Sequence, residues 1–131
     1  MEVTERFCSY EVAMLLKKKG FDAKGVSEYG GVYETDLKGK VLGYSLQPRI
    51  SNEDTDLLQC LRPTQQMACD WIFKKCKRHI SLEYDNCIGC WECHIRRVDK
   101  PDSYFIFTGI KDKEKAINTA MWYVLNNYEP K

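Results

Sequence analysis

No stretch of this chain is apolar and long enough to span a bilayer, which excludes a membrane-spanning helix. The opening residues, MEVTERFCSYE, carry acidic side chains and no continuous apolar core, so they read as neither signal peptide nor transit peptide. A soluble, cytoplasmic protein is therefore expected. An excess of one charge is also missing. Lys plus Arg number 20 against 19 Asp plus Glu, a formal net charge of +1. That leaves no global field to attract duplex nucleic acid or an anionic membrane, and any attraction must be local. No nucleotide-binding glycine motif follows a predicted strand; Gly30-Gly31 has no helix behind it and reads as a turn or strand break. No nucleophile stands beside a base and no acidic metal ligands cluster, so an enzyme is not expected. Internal repeats and low-complexity segments are absent.

What is present reads as a single α+β domain over residues 1–131, long enough to bury a real core. Ser9 to Lys19 forms a helix with Ser9 as N-cap and an apolar face of Val12, Ala13, Leu15 and Leu16. Gly20 ends it in the left-handed position, with Phe21 folding back toward Leu16. Val32, Tyr33 and Thr35, then Val41, Gly43, Tyr44 and Leu46, make a hairpin reversed at Asp36-Leu37-Lys38-Gly39. Gln47 to Gln59, with Pro48 and an acidic run, reads as a long surface loop and a candidate lid.

Pro63 to Tyr84 is the most informative stretch. A helix starts after the N-cap Thr64 and spreads Ala68, Trp71, Ile72, Phe73 and Cys76 over a wide apolar face, then passes directly into a strand over His79 to Tyr84. Strands follow at Trp91 to Val98 and Ser103 to Thr108, joined by a turn at Asp99-Lys100-Pro101-Asp102. A last helix runs from Lys113 to Asn127 behind Asp112, presenting Ile117, Ala120, Met121, Val124 and Tyr128. The order is α-β-β-α-β-β-β-α, an antiparallel sheet packed by helices.

Seven cysteines is a high and odd count. In a reducing compartment it points to free thiols, a metal site or redox chemistry rather than disulfides. Cys8, Cys60, Cys69 and Cys76 read as small core residues. The run Cys87-Ile88-Gly89-Cys90-Trp91-Glu92-Cys93-His94 has the Cys-x-x-Cys spacing of iron–sulfur ligands, but Arg97 stands where a fourth cysteine belongs. For zinc, Cys87, Cys90 and either Cys93 or His94 supply three ligands, with Cys60, Cys69 or Cys76 as a distant fourth. A second reading stands beside it: an ordinary strand with Trp91, Cys93 and Ile95 on one face and Glu92, His94 and Arg96 on the other, leaving Cys87 and Cys90 in the turn. No cofactor is required; zinc is the one that the residues admit.

The other local signal is basic. Lys74, Lys75, Lys77, Arg78 and His79 close one helix, and Arg96 and Arg97 lie on a neighbouring strand. Guanidinium groups fork onto phosphate, and Trp71, Tyr84, Trp91 and Tyr104 are available to stack a base. The alternative is a solvated face that complements the helix dipole. With no net charge, a small anion or nucleotide suits the patch better than duplex nucleic acid.

The phrases SYEVAMLLKKKGFD, RPTQQMACDWIFKKCKRHISLEYD and KEKAINTAMWYVLNNYEPK resemble, in order and over most of the chain, small uncharacterised accessory proteins of tailed phages and prophages of gut bacteria. Ser9, Tyr10, Gly20, Phe21, Pro63, Thr64, Trp71, His79 and Ile80 hold the matching positions; the cysteine run lies outside the shared pattern. The resemblance brings no catalytic residues. It implies a binding protein of the host cytoplasm, often a homo-oligomer, that sequesters a small nucleotide signal of host antiviral defence. Lys77, Arg78, His79, Arg96 and Arg97 would then hold phosphate, with Tyr84 or Trp91 stacking. Its alternatives are an interaction module that inhibits a host protein and a small zinc or iron protein built on Cys87, Cys90, Cys93 and His94.

Overall fold

The computed structural model describes residues 7–22, 31–45, 52, 59–100 and 104–130. Those residues form three helices and two three-stranded antiparallel sheets, an α+β arrangement in the order α-β-β-β-α-β-β-β-α. The chain divides into two compact units, Met1–Met67 and Ala68–Lys131.

In the first unit, α1 (Tyr10–Lys18) starts and stops for local reasons. Ser9 lies in extended backbone and its hydroxyl accepts the Val12 N–H at 3.4 Å, which satisfies one of the orphan donors of the first turn. At the other end Gly20 takes a φ of +95°, and the Phe21 and Gly20 N–H groups return to the Leu16 and Lys17 carbonyls at 2.9 and 3.2 Å. This is the Schellman closure that Gly-Phe predicts, and it tucks Phe21 into the core with Val12, Ala13 and Leu16.

The hairpin of β1 (Val32–Thr35) and β2 (Val41–Ser45) turns where expected. The Asp36 carboxylate accepts the Lys38 and Lys40 N–H groups at 2.9 Å, and Gly39 supplies the left-handed residue with φ +84°. Its sheet is completed by β3 (Gln59–Leu61), a strand that the sequence reading did not contain, paired on the far side of β1 in the order β2-β1-β3. Three residues are too few to show a period of two. Most of the proposed loop and lid, Gln47 to Gln59, lies outside the described residues, but Asn52 inside it is not a surface residue. It is buried; its amide donates to the Phe21 carbonyl, its side-chain oxygen accepts the Leu61 N–H at 2.9 Å, and its own N–H donates to Asp22 at 2.7 Å. Arg62 packs its guanidinium between the rings of Phe7 and Tyr44, 4.0 and 3.9 Å from their centroids.

The unit boundary falls within α2 (Gln65–Cys76), whose first turn is capped by the Thr64 hydroxyl accepting the Met67 N–H at 3.1 Å. Ala68, Ile72 and Cys76, four residues apart, are buried. The predicted face was too wide: Phe73 is 42% exposed and Trp71 is half-buried. A stripe at i, i+4 and i+8 fills the core here, and Phe73 lies about 100° around the helix from Ile72.

The second unit holds β4 (Arg78–Asp85), β5 (Cys90–Arg97), β6 (Tyr104–Ile110) and α3 (Lys113–Asn127), with strand order β4-β5-β6. The Asp99-to-Asp102 turn is described only at its first two residues. Asp112 caps α3 as expected, its carboxylate accepting the Glu114 and Lys115 N–H groups at 2.8 and 3.4 Å. The buried face of α3 is Ala116, Ala120, Met121, Val124 and Leu125, with Ile117 and Tyr128 only half-buried. Ala116 and Leu125 take the places in the buried face that the periodicity gave to Ile117 and Tyr128, and the Ala116 carbonyl meets the Cys93 thiol of the sheet.

Strand pairing fixes what each sheet face carries. Across β4 and β5 the partners are Arg78 and Arg97, Ile80 and Ile95, Leu82 and Cys93, Tyr84 and Trp91 on one face. That face meets α3: the Cys93 thiol donates to the Ala116 carbonyl at 3.5 Å, and Phe105 of β6 stacks on Tyr123 with centroids 4.7 Å apart. His79 with Arg96, Ser81 with His94, and Glu83 with Glu92 share the opposite face.

Candidate functional site

The β4–β5 hairpin carries nearly every residue that the sequence singled out, and its register separates them. At the open end, Lys77, Arg78 and Arg97 line one shallow pocket of about 80 Å³ with Cys76, Asp99, Tyr128 and Glu129. The helix-to-strand passage builds this end. With no residue to spare between α2 and β4, Lys77 takes the left-handed conformation at φ +55°, the one non-glycine residue with positive φ among the described residues. Helices commonly end this way on glycine; a side chain there costs roughly 1 kcal/mol. Arg78 sits over the Tyr128 ring, 3.8 Å from its centroid, and donates to the Cys76 and Lys77 carbonyls at 3.0 and 3.2 Å. Arg97 forks onto Asp99 with contacts of 2.6 and 3.0 Å. That hydrogen bond from Arg97 holds the Asp99 carboxyl below its usual range.

The remaining predicted ligand residues are elsewhere. His79 and Arg96 point to the other face of the sheet; both are exposed, and His79 meets the edge of Phe73 with centroids 5.9 Å apart. Tyr84 and Trp91 pair edge to face, 5.2 Å between centroids, six residues along β4 from Arg78. At about 3.3 Å per residue that is roughly 20 Å, so neither ring stacks a base whose phosphate sits on Arg78 or Arg97. The aromatic group at the pocket is Tyr128, which the sequence reading placed in the core. It sits at the C-cap of α3, and Tyr123 meets it at 71° with 6.3 Å between centroids.

The cysteine run does not come together as a metal centre. Cys87 is exposed in the turn; Cys90 is buried as the first residue of β5 rather than in the turn, its thiol 3.6 Å from the Ile88 carbonyl; Cys93 is buried under α3. Burial pushes the thiols of Cys93, Cys60 and Cys69 up to about 11, with the Asp70 carboxylate adding to the effect at Cys69. Those three are poor nucleophiles at neutral pH, since only the thiolate attacks. Cys8, Cys60 and Cys76 are buried as core residues, and Cys69 is half-buried.

Among the described residues, one set of three ligand atoms does lie within 4.8 Å: Glu83, Glu92 and His94. The sequence reading saw no clustered acidic ligands because nine positions separate the two glutamates. Register joins them, and the signal was the tight turn after Asp85, whose carbonyl accepts the Gly89 N–H at 2.8 Å and whose carboxylate accepts the Cys87 N–H at 2.9 Å. Comparison of the chain with protein-family models, curated proteins and solved structures gives no match.

Proposed function

We propose that this protein is a non-catalytic binding protein that holds the phosphate group of a small ligand in the pocket formed by Lys77, Arg78, Arg97 and Tyr128. The observation that carries this reading is the pairing of Arg78 with Arg97 directly across the strands, beside a strained Lys77, around one concavity. Like charges placed opposite each other disfavour the sheet. Strained backbone persists where its surroundings over-determine it, most often at binding sites. An anion shared by the three cations offsets both costs.

The Asp99 carboxylate supports the same reading, since it already occupies the Arg97 fork as an internal anion. A surface pair of this kind is weak in water and is screened by salt. A phosphate dianion, with more charge and more acceptor oxygens, displaces it at low cost. The pocket is open to solvent and large enough for a phosphate group, whose oxygens would meet the guanidinium and ammonium groups that line it. In this reading the phosphate end of the expected nucleotide is the part that the pocket holds, with Tyr128 rather than Tyr84 or Trp91 as the ring beside it.

Isothermal titration with inorganic phosphate and with a nucleoside monophosphate tests this. Charge-assisted hydrogen bonds are worth about 1.5–3 kcal/mol each, so Arg97→Ala and Arg78→Ala should each lose roughly tenfold or more in affinity. Equal affinity in wild type and both variants would sink the assignment.

A second reading, a protein-interaction module, rests on β2, which among the described residues ends the strand order of its sheet with Val41, Leu42 and Tyr44 exposed. Edge strands of this kind accept a further strand from a partner. Leu42→Lys should abolish co-purification of such a partner and leave phosphate binding unchanged.

A further inference from the structure

We infer that Glu83, Glu92 and His94 form a binding site for a divalent first-row transition ion, with Zn²⁺ the best fit, on the face of the β4–β5 hairpin opposite α3. The site is separate from the phosphate pocket and uses no thiol.

The three side chains converge because of pairing geometry. Glu83 and Glu92 are direct cross-strand partners, and His94 follows Glu92 by two residues and therefore shares its face. The His94 ring nitrogen Nε2 sits between the carboxylates, 2.7 Å from Glu92 Oε1 and 3.7 Å from Glu83 Oε2. Among the described residues no lysine or arginine pairs with either glutamate. Two carboxylates thus stand opposite each other on rigid strands, where like charges disfavour pairing, and one imidazole is the single group that answers them. Even a protonated imidazole leaves the trio negative, and a divalent ion held by two carboxylates and a neutral imidazole brings the charge to zero.

The donor set is not acidic alone. An imidazole nitrogen at its centre, with the His94 side chain 18% exposed, gives the nitrogen-and-oxygen combination that zinc uses with three protein ligands and an open position for water. Calcium and magnesium, which require six or more oxygens, are poorly served by the same three groups. Around a tetrahedral ion with bonds near 2.0 Å, ligand atoms lie about 3.3 Å apart. The present contacts of 2.7 and 3.7 Å bracket that value, so small side-chain rotations open one and close the other. The strands supply the preorganisation, since an ion bridging Glu83 and Glu92 pins two chain segments already held in register.

Zn²⁺ titration by calorimetry and Co²⁺ absorption spectroscopy on the full chain test the site. The expected result is one ion per chain, with Zn²⁺ affinity at least tenfold weaker in Glu83→Gln and in Glu92→Gln, and unchanged in Cys87→Ser. The Co²⁺ form should show d–d bands without thiolate-to-metal charge transfer, and a large excess of Ca²⁺ should not displace Zn²⁺. Circular dichroism of the glutamine variants checks that the fold persists; these positions are exposed and half-buried, so the fold should be retained. Three outcomes would overturn the proposal: no binding by wild type, which reduces the trio to an imidazole–carboxylate pair; equal binding by the glutamine variants; or thiolate charge transfer that disappears in Cys87→Ser.

Discussion

The two ends of the β4–β5 hairpin make the same unusual choice with opposite signs. Arg78 faces Arg97 at one end, and Glu83 faces Glu92 five residues farther along. The difference lies in how each pair is answered. At the basic end the protein supplies the counter-groups itself: Asp99 in the Arg97 fork, the Tyr128 ring under Arg78, and two main-chain carbonyls. At the acidic end one imidazole stands between two carboxylates. The basic end is therefore preassembled and must give up an internal partner to bind an anion. The acidic end is short of positive charge and gains by taking an ion. Binding strength at such sites depends less on how many charges gather than on what they already hold.

The apolar strip between the two ends, buried on β5 and half-buried on β4, holds them on one hairpin, which gives the largest expected effect. Ile80, Ile95, Leu82 and Cys93 hold the hairpin against α3, and burial pushes the Cys93 thiol from an ordinary value of 9.0 up to about 11. A raised thiol contributes stability that is fully present below the unfolded value and is lost as pH rises through the folded one. Between about pH 9 and pH 11 the loss at this residue is on the order of 2 kcal/mol. Urea unfolding at stepped pH should show the decline, and Cys93→Ala should make it shallower without abolishing it, because burial raises Cys60 and Cys69 in the same way. A decline of the same slope in that variant would assign the effect to other thiols.

The next effect separates stability from binding at the basic end alone. Lys77→Gly removes the left-handed strain and should stabilise the fold by about 1 kcal/mol, measured as a raised urea midpoint. The same variant lacks one cation of the pocket and should bind phosphate more weakly. A stabilised protein with undiminished phosphate affinity would mean that Lys77 only ends a helix.

Features fixed by neighbours in the chain were legible from the amino acids. Ser9, Gly20 and Asp112 cap and close their helices as read, because capping is settled within four residues. The α+β class followed from the same elements. What escaped depends on distant pairing. β3 and buried Asn52 become visible only once β1 and Phe21 stand beside them. Phe73 was misplaced because a helical wheel shows where apolar residues lie but not how much of that face is covered. The proposed phosphate pocket was half legible: Lys77, Arg78 and Arg97 were named, while Tyr84 and Trp91 were attached to them although six strand positions intervene. His94 was named as a metal ligand with thiols for partners, and register gave it carboxylates instead.

Asp99 offers the most direct test of the central claim that the basic end is an anion site already holding an internal anion. Phosphate affinity in wild type and in Asp99→Asn should be compared by calorimetry at the same ionic strength. Freed from that ion pair, Arg97 should bind phosphate roughly two- to fivefold more tightly in the variant. Equal or weaker binding by Asp99→Asn would show that the Arg97 fork is not where phosphate sits, and would contradict the account.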